Sequence, residues 1–173
     1  LPPGRPNPRG AGMTTATKIH VQIGEVKTAG PGQILTAILG SCVGLGFLCP
    51  ARGIFGLAHC LLSDSGEVTD RIDGRHVDQA VHSLVSLMKI VPDDYRHVKV
   101  IVAGGANMTM PPDTDPLRLV GAANSSTAYR AVRRLGLRNI YEDTGGVLGR
   151  QVTIDCTSGE FQISQIPRIG GTR

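Results

Sequence analysis

Between Gln33 and Leu62 the chain is largely apolar, yet glycine or proline keeps interrupting it: "QILTAILGSCVGLGFLCPARGIFGLAHCLL". A helix drawn through this stretch would hold Gly40, Gly44, Gly46, Pro50, Gly53 and Gly56, and each of them weakens a helix, proline most of all. Short strands joined at glycine turns suit it better. The segments read as "QILTAIL" (33–39), "VGLGFLC" after the Gly40-Ser41 bend and closed by Pro50, and "GIFGLAHCLL" (53–62) reached through "PARG". Ahead of them, "TKIHVQIGEV" (17–26) is a further β-rich run, set off by the Gly-Pro turn "KTAGPGQ". The opening half is therefore strand-dominated.

Helical spacing begins later. In "RHVDQAVHSLVSLMKI", Val77, Ala80, Val81, Leu84, Val85 and Met88 fall on one face, and Pro92 stops the pattern. "HVKVIVAGGANM" reads as a buried strand running into a glycine turn, and "TMPPDTDPLR" as a loop, since its prolines oppose regular structure. "NSSTAYRAVRRLG" makes a second helix, with Asn124 to Ser126 as candidate caps and Gly136 as its stop. Three strands close the chain, "LRNIYEDT", "GRQVTIDC" and "EFQISQI", with "TSGE" as the last hairpin turn. There is no internal repeat. Strands, helix, strand, helix, then three strands is an α+β order, not a doubly wound one.

The ends are set apart. "LPPGRPNPRGAG" before Met13 is rich in Pro, Gly and Arg, so residues 1–13 are expected to be a disordered extension or a cloning remnant. Residues 167–173 are expected to be a flexible tail, which leaves one domain over 14–166. The formal charge of +4 shrinks on inspection. Setting aside Arg5, Arg9, Arg168 and Arg173 leaves fourteen basic residues against fourteen acidic ones. With so few aromatics and no Trp there is neither a basic stripe nor a stacking platform, which argues against nucleic acid as a partner. No apolar run has the length to span a membrane, and no charged-then-apolar leader is seen. The expected compartment is the cytoplasm.

Four cysteines remain to be placed: Cys42, Cys49, Cys60 and Cys156. Their spacing has no C-x-x-C pair, so no metal site is expected, and reduced thiols suit a chain of this size without a secretory signal. Cys42 differs from the others because "GSCVG" strips side chains from around it, and His59 sits in the strand "GLAHCLL" downstream. A cysteine nucleophile needs a base, because the thiolate attacks and a free thiol has pKa about 8.5. G-x-C-x-G also has the form of a nucleophile elbow, but an elbow leads into a helix and is followed by a late histidine. "VGLGFLCP" is poor helix material and His59 lies on the next strand, so that reading fails. Thr36 adds a constraint: straight strand would carry it about 20 Å from Cys42 at about 3.3 Å per residue. Both serve one site only if the chain doubles back at Gly40-Ser41, leaving Cys42 at the apex. Cys60, next to His59, then faces the opposite side, and Cys49 and Cys156 are expected in the core. His20, His76, His82 and His97 have no companion motif.

"TAILGSCVG", "GLAHCLL", "VIVAGGANM" and "YEDTGGVLGR" together resemble the CheD family, the chemoreceptor glutamine deamidases of bacterial and archaeal chemotaxis. The likeness runs in order from about Ile19 to Ile163. It implies a layered α/β/β/α sandwich of mixed sheets flanked by helices, similar to the deamidase domain of cytotoxic necrotizing factor toxins. It implies Cys42 as nucleophile, His59 as base and Thr36 as third catalytic residue. Three positions depart from the family pattern. Thr109 stands where many members have Phe on the surface that meets a CheC-type phosphatase, Ser63 replaces the usual Pro, and "VGAANSS" keeps Asn124 without a preceding Arg.

The implied chemistry is hydrolysis of a receptor glutamine side chain to glutamate and ammonia through a cysteine thioester, with no cofactor. The substrates implied are chemotaxis receptors (methyl-accepting chemotaxis proteins), with a CheC-type phosphatase as a further partner. Backbone N–H groups of the Gly40–Val43 bend, those of Ser41 and Val43 among them, are candidate oxyanion donors. Thr36 would hold the imidazole by its hydroxyl, and Asn107 and Thr144 would border the cleft. An activated Cys42 should carry more thiolate at neutral pH than an ordinary thiol. The competing readings are a docking module with little catalysis and an amidase for small amides.

Overall fold

The computed structural model describes residues 15–167. The extension over 1–13 lies outside the described residues, as do residues 168–173 of the tail. Among the described residues nine strands form two mixed sheets. The first sheet holds β1 (Thr17–His20), β3 (Gln33–Leu39), β8 (Gly149–Asp155) and β9 (Phe161–Ile166), in that order across the sheet. The second holds β2 (Val26–Ala29), β5 (Ile54–Cys60), β4 (Val43–Cys49), β6 (Lys99–Gly104) and β7 (Asn139–Thr144). The α-helices are α1 (Val77–Met88) and α2 (Val120–Leu135). An α+β sandwich of mixed sheets with flanking helices is thus what the chain builds. Both helices cover the five-stranded sheet, so among the described residues the layers run helices, five strands, four strands. The outer face of the smaller sheet presents Gln151, Thr153, Gln162 and Ser164 around the exposed Ile38 and the buried Thr36.

Strand β4 sits at the centre of the larger sheet and all seven of its residues are buried. Alternation sorts them into two cores. Val43, Leu45, Phe47 and Cys49 pack toward the helices with Leu84 and Met88. The opposite face meets the four-stranded sheet through Leu35, Leu39, Phe55, Leu57, Ile101 and Ile154. Gly44 belongs to that inner face: a Cβ there would stand 2.8 Å from Leu39 Cδ1. The glycine that seemed to clear space around the thiol therefore also admits Leu39.

Element boundaries differ from the sequence reading at three places. The run 17–26 is not one strand, because the chain turns after His20, with Gly24 at φ 84°, and changes sheets before β2. Helix α1 ends at Lys89, which adopts φ 51° and donates its N–H to Ser86 and Val85, three residues before Pro92. Helix α2 starts at Val120, a turn earlier than expected, so Asn124 and Ser125 are buried interior positions and not caps. Gly136 ends that helix in the left-handed conformation, as expected.

Candidate active site

Strand β3 leaves the smaller sheet at Leu39, the chain bends through Gly40, Ser41 and Cys42, and β4 enters the larger sheet at Val43. The doubling back expected at Gly40-Ser41 is a crossing between sheets at one end of the sandwich. Its carbonyls are all tied down. Gly40 O accepts from Ala106 N at 2.9 Å, Cys42 O from Gly105 N at 2.8 Å, and Ser41 O from Asn124 Nδ2 at 3.4 Å. The "GGA" turn after β6 exists for this contact: Gly104 has φ 100°, and a Cβ on it would lie 2.3 Å from the Cys42 carbonyl oxygen.

The amides of the bend are arranged oppositely. Among the described residues the Ser41 backbone N–H has no hydrogen-bond acceptor, and the Cys42 N–H meets only its own thiol. Val43 differs. Gly105 N bonds Cys42 O, which makes Val43 and Gly104 the non-hydrogen-bonded kind of antiparallel pair and turns the Val43 amide to Cys60 on the other side. Of the two expected oxyanion donors, Ser41 is therefore free and Val43 is spent in the sheet.

His59 pairs with Gly44 in the β4–β5 ladder. Cys42 precedes Gly44 by two residues and packs in the same inter-sheet core, so Cys42 and His59 are diagonal neighbours on one face. Only a glycine stands directly opposite the histidine. Cys60 lies in the helix-side core, on the other face, as alternation requires. Nδ1 of His59 lies 3.1 Å from the Val21 carbonyl oxygen. A carbonyl only accepts, so Nδ1 carries the proton and Nε2 presents a lone pair, the form a general base needs.

Burial decides the protonation states. Cys42 is 7 % exposed and His59 5 %. Desolvation pushes the Cys42 thiol above its ordinary value, offset in part by its own backbone N–H. Desolvation also holds the His59 imidazole below the usual histidine range, against the Val21 bond. The resting pair is thus a neutral thiol beside a neutral imidazole, and no hydrogen bond joins them among the described residues. This corrects two expectations: Cys42 is not an open apex, and its thiolate is not favoured at rest. The sequence shows the glycines but not Met108, which packs over Gly40, where a Cβ would meet its Cγ at 3.1 Å.

Thr36 is placed differently from the sequence reading. Leu35, Ala37 and Leu39 fill the inter-sheet core, so alternation turns Thr36 to the opposite face of β3. Its side chain is 1 % exposed, and Oγ1 has no hydrogen-bond partner among the described residues. The group on the imidazole is the Val21 carbonyl, which sequence reasoning missed because a backbone acceptor leaves no mark in residue type. Thr36 is nevertheless connected to it, since Thr36 O accepts from Val21 N at 2.8 Å.

A cavity of about 260 Å³ opens beside Ser41, lined also by Asn107, Met108, Thr109, Arg118 and Gly121. Asn107 is among its lining residues, with its carboxamide closing the loop: Nδ2 donates to Pro111 O and Oδ1 accepts from Met110 N. Thr144 ends β7 in register with Gly104 and donates to Glu142 Oε1, away from the residues lining that cavity. The "EDTGG" loop is braced by the buried Arg150, which pairs with Asp143 at 3.1 Å and donates to Gly145 O. Among the described residues no cluster of His, Cys, Asp or Glu could hold a metal ion, and no helix is long and apolar enough to cross a membrane.

A family model described as CheD chemotactic sensory transduction matches residues 61–165. The chain is 50% identical over 172 residues to the "Probable chemoreceptor glutamine deamidase CheD 2" of Ruegeria sp. (strain TM1040), covering 90% of this chain and 96% of that protein. It is 33% identical to the "Probable chemoreceptor glutamine deamidase CheD" of Archaeoglobus fulgidus, over 85% of this chain and 92% of the other. With the "Chemoreceptor glutamine deamidase CheD" of Thermotoga maritima it shares 31% identity, over 79% and 83%. Among solved structures, YlmD from Geobacillus stearothermophilus aligns over 78% of this chain and 61% of its own, at TM-score 0.41 and 15% identity.

Proposed function

The chain belongs to the CheD family, and from that premise we propose that it is a chemoreceptor glutamine deamidase, a protein-glutamine glutaminase whose nucleophile is Cys42. The observation that carries the chemistry is the shared face of Cys42 and His59 beside the amides of Ser41, which has no acceptor, and of Cys42, which meets only its own thiol. A glutamine side chain entering at the bend puts its carbonyl carbon against Cys42 Sγ and its oxygen toward those amides. The S–C bond forms as His59 Nε2 takes the thiol proton, and the amides hold the oxyanion. The C–N bond then breaks, the imidazolium returns the proton to nitrogen, and ammonia leaves. Water, deprotonated by the same nitrogen, cleaves the thioester to glutamate and restores the thiol.

A resting neutral pair fits a protein substrate. The thiol stays unreactive until a bound side chain displaces solvent and aligns the proton transfer. Thr36 acts here through its carbonyl, which fixes Val21 and so the imidazole. The receptor is the partner this reading requires. A CheC-type phosphatase would be a second one, meeting the surface around Thr109, and the cytoplasm is the compartment in which both would be found. The test is deamidation of a purified chemoreceptor cytoplasmic fragment, followed by mass spectrometry of its peptides. Cys42→Ser is expected to abolish the amide-to-acid conversion and Cys60→Ser to preserve it. Conversion at the wild-type rate by Cys42→Ser would end the assignment.

A further inference from the structure

The β4–β5 ladder ends at the pair Val43–Cys60, immediately short of the two residues that matter most. Beyond it the strands part. Leu61 N and Leu62 N both turn to the Arg75 carbonyl, leaving the carbonyls of Ser41 and Leu61 at the open end of the pair. Both are taken by one side chain. Asn124, in the second turn of α2 and 1 % exposed, donates Nδ2 to Leu61 O at 3.0 Å and to Ser41 O at 3.4 Å. Ser41 adjoins Cys42, and Leu61 lies two residues past His59.

The third atom of that carboxamide shows what the position is for. Asn124 Oδ1 is buried and has no donor among the described residues. An unpaired buried acceptor costs stability, and an apolar side chain on this helix face would avoid it. The two N–H groups are what the position needs. We propose that Asn124 is a positioning residue for the reaction, clamping the bend that carries Cys42 to the strand end that carries His59. The backbone behind it is close-fitted as well: a Cβ on Gly121, one turn earlier, would stand 2.4 Å from Gly105 O, so only glycine lets α2 approach the turn that holds the bend this closely. This role rests on the deamidase reading of the site.

The test uses the full chain with a purified chemoreceptor cytoplasmic fragment, at a temperature where circular dichroism shows each variant folded. Asn124→Ala removes both links. It should lower kcat about 10- to 100-fold, with KM unchanged to within about threefold, the pattern of a misplaced reacting pair and not of lost binding. The pH profile of Cys42 alkylation by iodoacetamide should shift as well, because the thiol no longer sits against His59. Asn124→Asp fills the same volume without the pair of N–H donors, and a kcat loss of at least about tenfold is expected there too, which covers the case in which the alanine variant does not fold. A folded variant of either kind with wild-type kcat and alkylation profile overturns the positioning role. Cys42→Ser, run beside them, separates the two ideas. An inactive serine variant next to a wild-type-like Asn124→Ala overturns only the clamp, whereas an active serine variant overturns the chemistry on which the clamp depends.

Discussion

Replacing Gly104 with alanine tests whether the glycine turn after β6 sets the position of Cys42. The new Cβ would lie 2.3 Å from the Cys42 carbonyl oxygen and 3.1 Å from Leu39 Cβ, at a backbone φ of 100°. A positive φ costs a residue with a Cβ about 1–2 kcal/mol. Ordinary contact begins near 3.4 Å, so the Cys42 carbonyl must also retreat by roughly an ångström. That retreat forfeits the bond from Gly105 N, about 1 kcal/mol net. The total is about 2–3 kcal/mol, which for a domain of this size lowers Tm by about 4–12 °C. A shift of that size at the nucleophile costs about 100-fold in kcat. Gly32→Ala is the control: its φ is 86° and a Cβ there meets nothing within 4 Å, so it loses only the conformational part and keeps full turnover. Thermal melts by circular dichroism and deamidation of a receptor fragment read both quantities. A Gly104→Ala variant that melts with the control and turns over at the wild-type rate would refute the reasoning.

Residue types and their order carried a good deal of this protein. Glycine-interrupted apolar runs specified short strands, and alternation alone put Cys60 on the face opposite His59, where it lies. That Cys42 and His59 share a face was legible because spacing, a bend and a following strand converge on it. Other features depend on what the backbone does. The Val21 carbonyl that orients the imidazole is invisible in a sequence, since every residue has a carbonyl and only the β1–β3 register says which one arrives. The same register turns Thr36 outward, although sequence distance and a bend suggested convergence. Asn124 looked like a cap because Asn, Ser and Ser together favour helix starts. The chain begins the helix earlier at Val120 and spends Asn124 in the interior, against carbonyls that sequence could not bring there. Resting pKa values were misjudged for a related reason. Small neighbours suggest an open thiol, but Cys42 packs in the inter-sheet core, and desolvation there outweighs its own amide.

Three further outcomes follow from these placements. Thr36→Ala should reduce kcat less than about tenfold, because its hydroxyl faces away from the reacting pair, while His59→Ala should cost about 100- to 10,000-fold. Equal losses would show that the Thr36 hydroxyl reaches the site. In the folded protein iodoacetamide should label Cys42 before Cys49, Cys60 and Cys156, whose exposures are 0 %, 0 % and 1 % against 7 %. Peptide mapping after short exposures checks the order, and equal labelling would contradict the packing. The pH dependence tests the neutral resting pair. Burial holds the His59 imidazole below its ordinary value, so near pH 6 the unfolded chain binds a proton that the folded one resists. The stability from this group is therefore complete above about pH 6.5 and is lost as pH falls through the folded value. Tm should drop between about pH 7 and pH 5 in the wild type and drop less in His59→Gln. The thiol moves the other way, since burial raises it, and Cys42 labelling should keep climbing above about pH 8.5 without a plateau near neutrality. A plateau of fast labelling at neutral pH, with Tm flat on acidification, is what a resting thiolate–imidazolium pair would produce; that result would mean that the charged pair, and not the neutral one, awaits the substrate.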